Sequence, residues 1–177
     1  FIATPDFEQP GDNDGSNTYF QTVIVSDGEF EVTQDVTIQV TNIDDNKPVI
    51  TTNLDFSHPE NETAVGQLTA TDADGDDVEF SLVTDTDGTD IGSGNGGSDH
   101  ELFAVSTSGA ITFKDSPDFE TTFSQNGDSL FTFAVRACPR NKCDDSDFYT
   151  QRLVFVTLTN VDEGPEFITD GQYSADE

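Results

Sequence analysis

Apolar and polar residues alternate along most of this chain with a period of two. Val32, Val36, Ile38 and Val40 alternate with Thr33, Asp35, Thr37 and Gln39, and Phe131, Phe133, Val135 and Ala137 alternate with Thr132, Ala134 and Arg136. Side chains two apart share one face of an extended backbone, so each stretch predicts a half-buried β-strand. Further strands are predicted at 19–25, 49–54, 64–71, 78–83, 102–105, 110–114 and 152–159. Clusters of Gly, Asp, Asn and Ser separate them and supply the turns that antiparallel neighbours require. No amphipathic helix of three turns is found. The pattern predicts an all-β chain whose short strands have the spacing of a sandwich.

Charge changes this picture most. The 177 residues hold 36 Asp and Glu against 6 Lys and Arg, a formal charge of −30, while 15 Phe among 33% apolar residues supply material for a core. Such charge repels a polyanionic backbone and argues against nucleic-acid binding. No run approaches the roughly 18 apolar residues of a membrane helix. The N-terminus shows no basic region followed by an apolar one, so no signal peptide is expected there, and both ends read as cut in mid-pattern. Carboxylates at this density destabilise a compact state unless their charge is offset. The regular strands argue against a disordered acidic chain. Two readings stay open: bound calcium, which takes about six to eight oxygen ligands, or an acidic surface that is simply solvated.

An internal repeat organises the chain. Pro5-Asp6-Phe7-Glu8 recurs as Pro117-Asp118-Phe119-Glu120, and Thr41-Asn42-Ile43-Asp44-Asp45 recurs as Thr159-Asn160-Val161-Asp162-Glu163. The two offsets, 112 and 118, differ by six residues, so the second copy has longer loops between the motifs. Pro165-Glu166-Phe167 likewise parallels Pro48-Val49-Ile50. Read this way, 1–47 is the C-terminal half of one repeat, 48–164 a complete repeat with enlarged loops, and 165–177 the start of a third.

Five acidic motifs fall near predicted strand ends: Pro59-Glu60-Asn61, Asp72-Ala73-Asp74, Asp118-Phe119-Glu120, Asp44-Asp45-Asn46-Lys47-Pro48 and Asp162-Glu163-Gly164-Pro165. In this order, over nearly the whole chain, they resemble tandem cadherin repeats, which carry P-E-N, D-A-D, L-D-R-E and D-x-N-D-N-x-P. The resemblance implies a Greek-key β-sandwich, cadherin-like, with Ca2+ between successive repeats. Carried over residue by residue, it implies a first junction of Asp6, Glu8, Asp44, Asp45, Asn46, Asp72 and Asp74, enough oxygens for about two or three ions. It implies a second of Glu60, Asp118, Glu120, Asp162 and Glu163, incomplete without a following D-A-D. One departure stands out. The family's V-x-A-x-D is kept in Val23-Ile24-Val25-Ser26-Asp27 but becomes Val135-Arg136-Ala137-Cys138-Pro139, with Asp144 or Asp145 as possible substitutes.

Other chemistry has less support. Asp72–Val83 is not an EF-hand loop, because Gly75 is misplaced and the twelfth residue is Val83 rather than Glu. Gly96-Gly97-Ser98-Asp99 faintly resembles an RTX nonapeptide but occurs once. Asn61-Glu62-Thr63 is a glycosylation acceptor only in a eukaryotic protein. His58 and His100 lack the partners of zinc or triad catalysis and read as surface or turn residues, so no enzyme is expected. Cys138 and Cys143 lack further zinc ligands nearby and read as a disulfide closing a hairpin loop, which implies an oxidising, extracellular setting.

Arg136, Arg140, Lys142 and Arg152 gather around that loop as a basic patch, read either as local charge balance against Asp144, Asp145 and Asp147 or as part of a ligand site. The long glycine-rich stretch 84–100, the Cys loop and Thr121–Ser129 exceed what a uniform spacer repeat needs. With the acidity, this resembles cadherin-like segments of bacterial RTX-type surface adhesins, including their peptide-binding modules. The expectation is a calcium-dependent ligand-binding module of a large secreted or cell-surface adhesin. Its partner would be a host or neighbouring-cell protein or glycan, met through Arg140, Lys142, Asp99 and His100, with neighbouring repeats of the same chain alongside. The alternatives are a purely structural calcium-rigidified extender and a carbohydrate-binding module.

Overall fold

The computed structural model describes residues 3–84, 98–124 and 127–164. Two compact units are formed, one from Phe1–Thr51, Ala70–Glu79 and Ala137–Thr150, the other from Thr52–Thr69, Phe80–Arg136 and Gln151–Glu177.

In the first unit, β1 (Thr18–Ser26) and β2 (Glu31–Gln39) make an antiparallel hairpin in which Tyr19 faces Ile38 and Val25 faces Val32. This register puts Tyr19, Val23, Val25, Val32, Val36 and Ile38 on one face, as the alternation predicts. Its tight turn follows from Asp27, whose Oδ1 accepts the amides of Glu29 at 2.9 Å and Phe30 at 2.8 Å. The hairpin's apolar side chains are nonetheless solvated: Val25 is 67% and Val32 69% exposed. β3 (Val49–Ile50) pairs antiparallel with β6 (Ala70–Thr71) in the same unit.

The second unit carries the main core. It holds β4 (Asp55–Pro59), β5 (Ala64–Gln67), β8 (Phe103–Val105), β9 (Ala110–Phe113) and most of β7 (Val78–Leu82), β10 (Leu130–Pro139) and β11 (Thr150–Thr159). One sheet has the order β4-β11-β10-β7 and another β5-β9-β8. The single strand predicted at 49–54 is instead β3 followed by the separate β4. That strand escapes the alternation because His58 and Pro59 interrupt it, and it pairs parallel to β11, with Asp55 opposite Phe155 and Pro59 opposite Thr159. The predicted strand 64–71 divides into β5 and β6, with a register shift between Ala64 and Gly66. A short 3-10 helix, Ser98–Leu102, precedes β8. Most of the predicted insertion 84–100 and the segment 165–177 lie outside the described residues.

Four phenylalanines join the two sheets. Phe103 of β8 lies 4.3 Å, centroid to centroid, from both Phe113 of β9 and Phe133 of β10, and 6.0 Å from Phe131 of β10. Around them Leu68, Ile111, Val135, Val154, Val156 and Leu158 are buried. His58 belongs to this core as well. It is 2% exposed, stacks on Phe113 with centroids 5.5 Å apart, and sets Nε2 2.7 Å from the Glu62 carbonyl, which corrects its reading as a surface or turn residue. The β8–β9 turn requires Gly109. Its φ is +90°, and a Cβ there would lie 2.7 Å from the Leu68 carbonyl oxygen.

Because rings fill the space between the sheets, truncation there costs both transfer energy and a cavity. Phe103→Ala should destabilise by about 3–5 kcal/mol, whereas Phe20→Ala, at a position 72% exposed, should stay within about 0.5 kcal/mol. Urea denaturation of both variants checks the contrast.

Candidate functional site

The repeated P-D-F-E motif folds the same way twice. Asp6 Oδ1 accepts the amides of Glu8 and Gln9 at 3.0 and 2.9 Å, and Asp118 Oδ1 accepts those of Glu120 and Thr121 at 2.9 and 3.0 Å. Each aspartate thereby fixes a turn that presents the glutamate two residues later.

In the first unit this turn delivers Glu8 to a carboxylate cluster. One oxygen each from Glu8, Asp45 and Asp74 lies within 4.8 Å of the others. The linker between β2 and β3, residues 40–48, reaches Asp74 through its own donors: Asp74 Oδ2 accepts the amides of Asn46 at 2.8 Å and Asp45 at 3.2 Å, and Oδ1 accepts the Asn46 side chain at 3.1 Å. Asp72 Oδ1 accepts the Asp74 amide at 2.9 Å, which closes the D-A-D turn. Burial alone would raise the Asp74 pKa, but the donors on Asn46 and Asp45 hold it below the ordinary aspartate range. Glu8 is raised, first by desolvation and then by the neighbouring Asp74 and Asp45. Asp72 is raised by desolvation and by the charge of Asp74.

Several oxygens here have no donor. Glu8 Oε1, Asp44 Oδ1 and Asp72 Oδ2 are buried without a hydrogen-bond partner. An uncompensated acceptor is costly, and a hard divalent cation that takes oxygen ligands would satisfy all three types. The donor set therefore fits calcium. Of the residues carried over from the family pattern, Glu8, Asp45 and Asp74 converge. Asp6 and Asn46 serve as turn former and donor, and Asp44 forms an ion pair with Lys142.

The second unit gathers Glu60, Asp118 and Glu120 in the same sense. Glu60, at the end of β4, is 1% exposed. Both of its oxygens are used: Oε2 accepts the Phe119 amide at 2.6 Å and Oε1 the Val161 amide at 2.7 Å. It thus ties three chain segments together. Glu163 lies outside the cluster and accepts from the Asn61 side chain at 2.6 Å, with Asn61 in the left-handed region at φ 68°. Asp162 is exposed.

Sequence reasoning passed over two asparagines. Asn42 donates to the Asp74 carbonyl at 2.9 Å and Asn160 to Glu120 Oε1 at 2.6 Å. Both stand second in the repeated T-N-x-D stretch, so the repeat itself carried the signal.

The basic patch is engaged within the chain. Arg140 Nε pairs with Glu79 at 2.9 Å, and Lys142 pairs with Asp44 while lying 4.4 Å from the centre of the Phe148 ring. Cys138 and Cys143 are joined in a disulfide, with Cα atoms 5.0 Å apart. A cleft of about 510 Å³ beside it is lined by Asn141, Lys142, Asp144, Asp145, Ser146 and Phe148. Asp99 is buried and accepts the Thr132 amide at 2.8 Å, and His100 is half-buried in the 3-10 helix.

No protein-family profile and no curated protein matches the chain. Solved structures do. Human protocadherin-24 EC1-2 (form II) superposes with a TM-score of 0.57 at 22% identity, over 90% of this chain and 70% of that one. Drosophila N-cadherin EC1-4 gives 0.54 at 20%, over 89% of this chain and 34% of that one. Protocadherin gammaB7 EC3-6, from a cis-dimer structure, gives 0.53 at 18%, over 85% and 35%. At such identities the likeness is one of fold, and the fold is a cadherin-like β-sandwich.

The shifted carboxylates set a pH dependence for the metal-free protein. Groups raised in the native state, Glu8 and Asp72, favour folding below the ordinary carboxylate range and withdraw that stability as pH rises through their native values. Groups lowered in the native state, Asp74, Asp14, Asp27 and Asp128, contribute stability that is complete above that range and lost in stronger acid. In chelator, the melting temperature should therefore fall on both sides: in strong acid through Asp74, Asp14, Asp27 and Asp128, and toward neutral pH through Glu8 and Asp72. A melting temperature that rises steadily from acid to neutral pH would contradict this.

Proposed function

We propose that the chain is a calcium-dependent segment of a large extracellular adhesin of the bacterial RTX type, a binding rather than catalytic protein whose junctions stiffen when Ca2+ binds. The carrying observation is the convergence of Glu8, Asp45 and Asp74 beside buried, donor-less oxygens of Glu8 and Asp72. The full junction would be Asp6, Glu8, Asp44, Asp45, Asn46, Asp72 and Asp74, with Glu60, Asp118, Glu120, Asp162 and Glu163 forming the second. Residues 1–47 would be half of one repeat, 48–164 a complete repeat and 165–177 the start of another. The hairpin supports this division. Val36 and Ile38 are solvated, while Val154 and Val156, at the repeat offset of 118, are fully buried by a second sheet.

Calcium that binds only the folded chain stabilises it by about 1.4 kcal/mol for each tenfold excess over its dissociation constant. The melting temperature should accordingly fall by tens of degrees in excess chelator, and Asp74→Asn should remove most of the calcium-induced rise. An unchanged melting curve in chelator defeats this reading.

A second function, recognition of a peptide or glycan on another cell, is favoured by the cleft beside the disulfide. Since Lys142, which lines it, already has a carboxylate partner, a ligand carboxylate there would compete with Asp44, as one reaching Arg140 would compete with Glu79. Peptide and glycan arrays, probed with and without calcium, test it. Binding should require calcium and weaken when residues 88–98 are shortened or Arg140 and Lys142 are neutralised. An intact protein that binds neither array leaves the spacer role alone.

A further inference from the structure

Position 27 and its repeat counterpart 139 solve one local problem in two ways. In the first hairpin Asp27 ends the strand and spends its carboxylate on its own turn. The counterpart is Pro139, and in place of a tight turn the chain makes a longer loop closed by the Cys138–Cys143 disulfide. That loop is ordered by its own bonds: Lys142 N donates to the Pro139 carbonyl at 3.0 Å, Asp145 N to the Lys142 carbonyl at 3.2 Å, and Asn141 adopts φ 66°. At its tip sits a cation. Lys142 meets Asp44, whose side chain is 20% exposed, with its ammonium over the Phe148 ring. A second bond runs the other way, from Lys47 of the linker to the Ser146 carbonyl at 2.7 Å. Linker and loop are thus cross-linked by two lysines, one contributed by each.

From this geometry we infer that Lys142 is a resident counter-ion of the linker, held in place by the disulfide-closed loop and neutralising Asp44 without metal. Asp44 and Asp45 are adjacent, yet they are served differently. Asp45 joins Glu8 and Asp74, a cluster that needs an added cation, whereas Asp44 is supplied with one by the chain. An ammonium in this place has two opposed consequences. It orders the linker when calcium is absent, and it competes with calcium for the Asp44 oxygens and repels the ion electrostatically. The second consequence rests on the calcium reading above; the first does not.

The two signs give the test. Hydrogen exchange of linker amides 41–47 is measured in chelator, and calcium binding is measured by calorimetry, for wild type, Lys142→Met, Lys142→Arg and the Cys138→Ser/Cys143→Ser double variant. In chelator, Lys142→Met and the double Cys variant should exchange these amides about tenfold faster, with β8 and β9 amides unchanged. Lys142→Arg should stay near wild type. Lys142→Met should nonetheless bind calcium several-fold more tightly, an outcome that general damage to the fold would not produce. Unchanged linker exchange in Lys142→Met, or weaker calcium binding by it, overturns the inference. If neither wild type nor variant binds calcium, the calcium reading fails and the exchange rates in chelator alone decide the role of Lys142.

Discussion

The structure depends on finding donors for carboxylates. With 36 acidic side chains and 6 basic ones, ion pairing cannot serve more than a few, and backbone amides do most of the work. Asp6, Asp27, Asp72, Asp118, Asp128 and Asp145 each accept an amide close by in sequence, and each such bond fixes a turn. Asp27 and Asp128, which have such donors, are held below the ordinary pKa range. Where burial outweighs such donors, the sign reverses, and Glu8 and Asp72 rise, first by desolvation and then by the charge of Asp74. A carboxylate raised in this way is one whose charged form a nearby cation would favour.

The two copies of the repeat show how much of this is local. Their P-D-F-E turns are alike in hydrogen bonding, although one precedes the solvated β1–β2 hairpin and the other lies near the main core. The loop after each motif is stapled by a Ser–Asp bond with the partners exchanged. Ser16 donates its hydroxyl to Asp12 at 3.1 Å, and Ser124 donates to Asp128 at 2.6 Å. Burial, by contrast, is not local. The same alternating strand is exposed at Val36 and Ile38 and sealed at Val154 and Val156, because among the described residues only the latter belong to a unit with a second sheet to cover them.

That difference explains what the sequence made legible. Strand alternation found β1, β2, β7, β9, β10 and β11 to within a few residues, and the ordered acidic motifs pointed to Glu8, Asp45, Asp74, Glu60, Asp118 and Glu120. β4 stayed hidden because its stability comes from parallel pairing with a strand about a hundred residues away, which no local pattern records. Buried His58 was hidden for a related reason: a histidine reads as polar until the ring stacked on it is known. Glu60 shows the same limit from the other side. Its motif was visible, but its burial beneath two amides follows only from the approach of 117–119 and 160–161 in the folded chain. The partners of Arg140 and Lys142 are likewise invisible locally. Charge balance against the nearby Asp144, Asp145 and Asp147 is one of the two readings that the sequence leaves open, whereas folding brings Glu79 and Asp44 to them.

Preorganisation decides what calcium would have to do. Asp74 receives the amides of both Asp45 and Asn46, and Asn42 reaches back to the Asp74 carbonyl. The linker and the D-A-D turn are therefore already coupled before any ion arrives. An ion entering among Glu8, Asp45 and Asp74 meets oxygens that lie within 4.8 Å of one another, so little chain entropy remains to be lost on binding. What opposes binding is instead desolvation and the proton that Glu8 retains more readily than an ordinary glutamate. What favours it is relief of repulsion among three carboxylates. Both scale with the same crowding, so substitutions that loosen the cluster should weaken the repulsion and the ion's attraction together. Such a site would be tuned by the donors that surround it, above all Asn46 and Asn42, as much as by the carboxylates themselves.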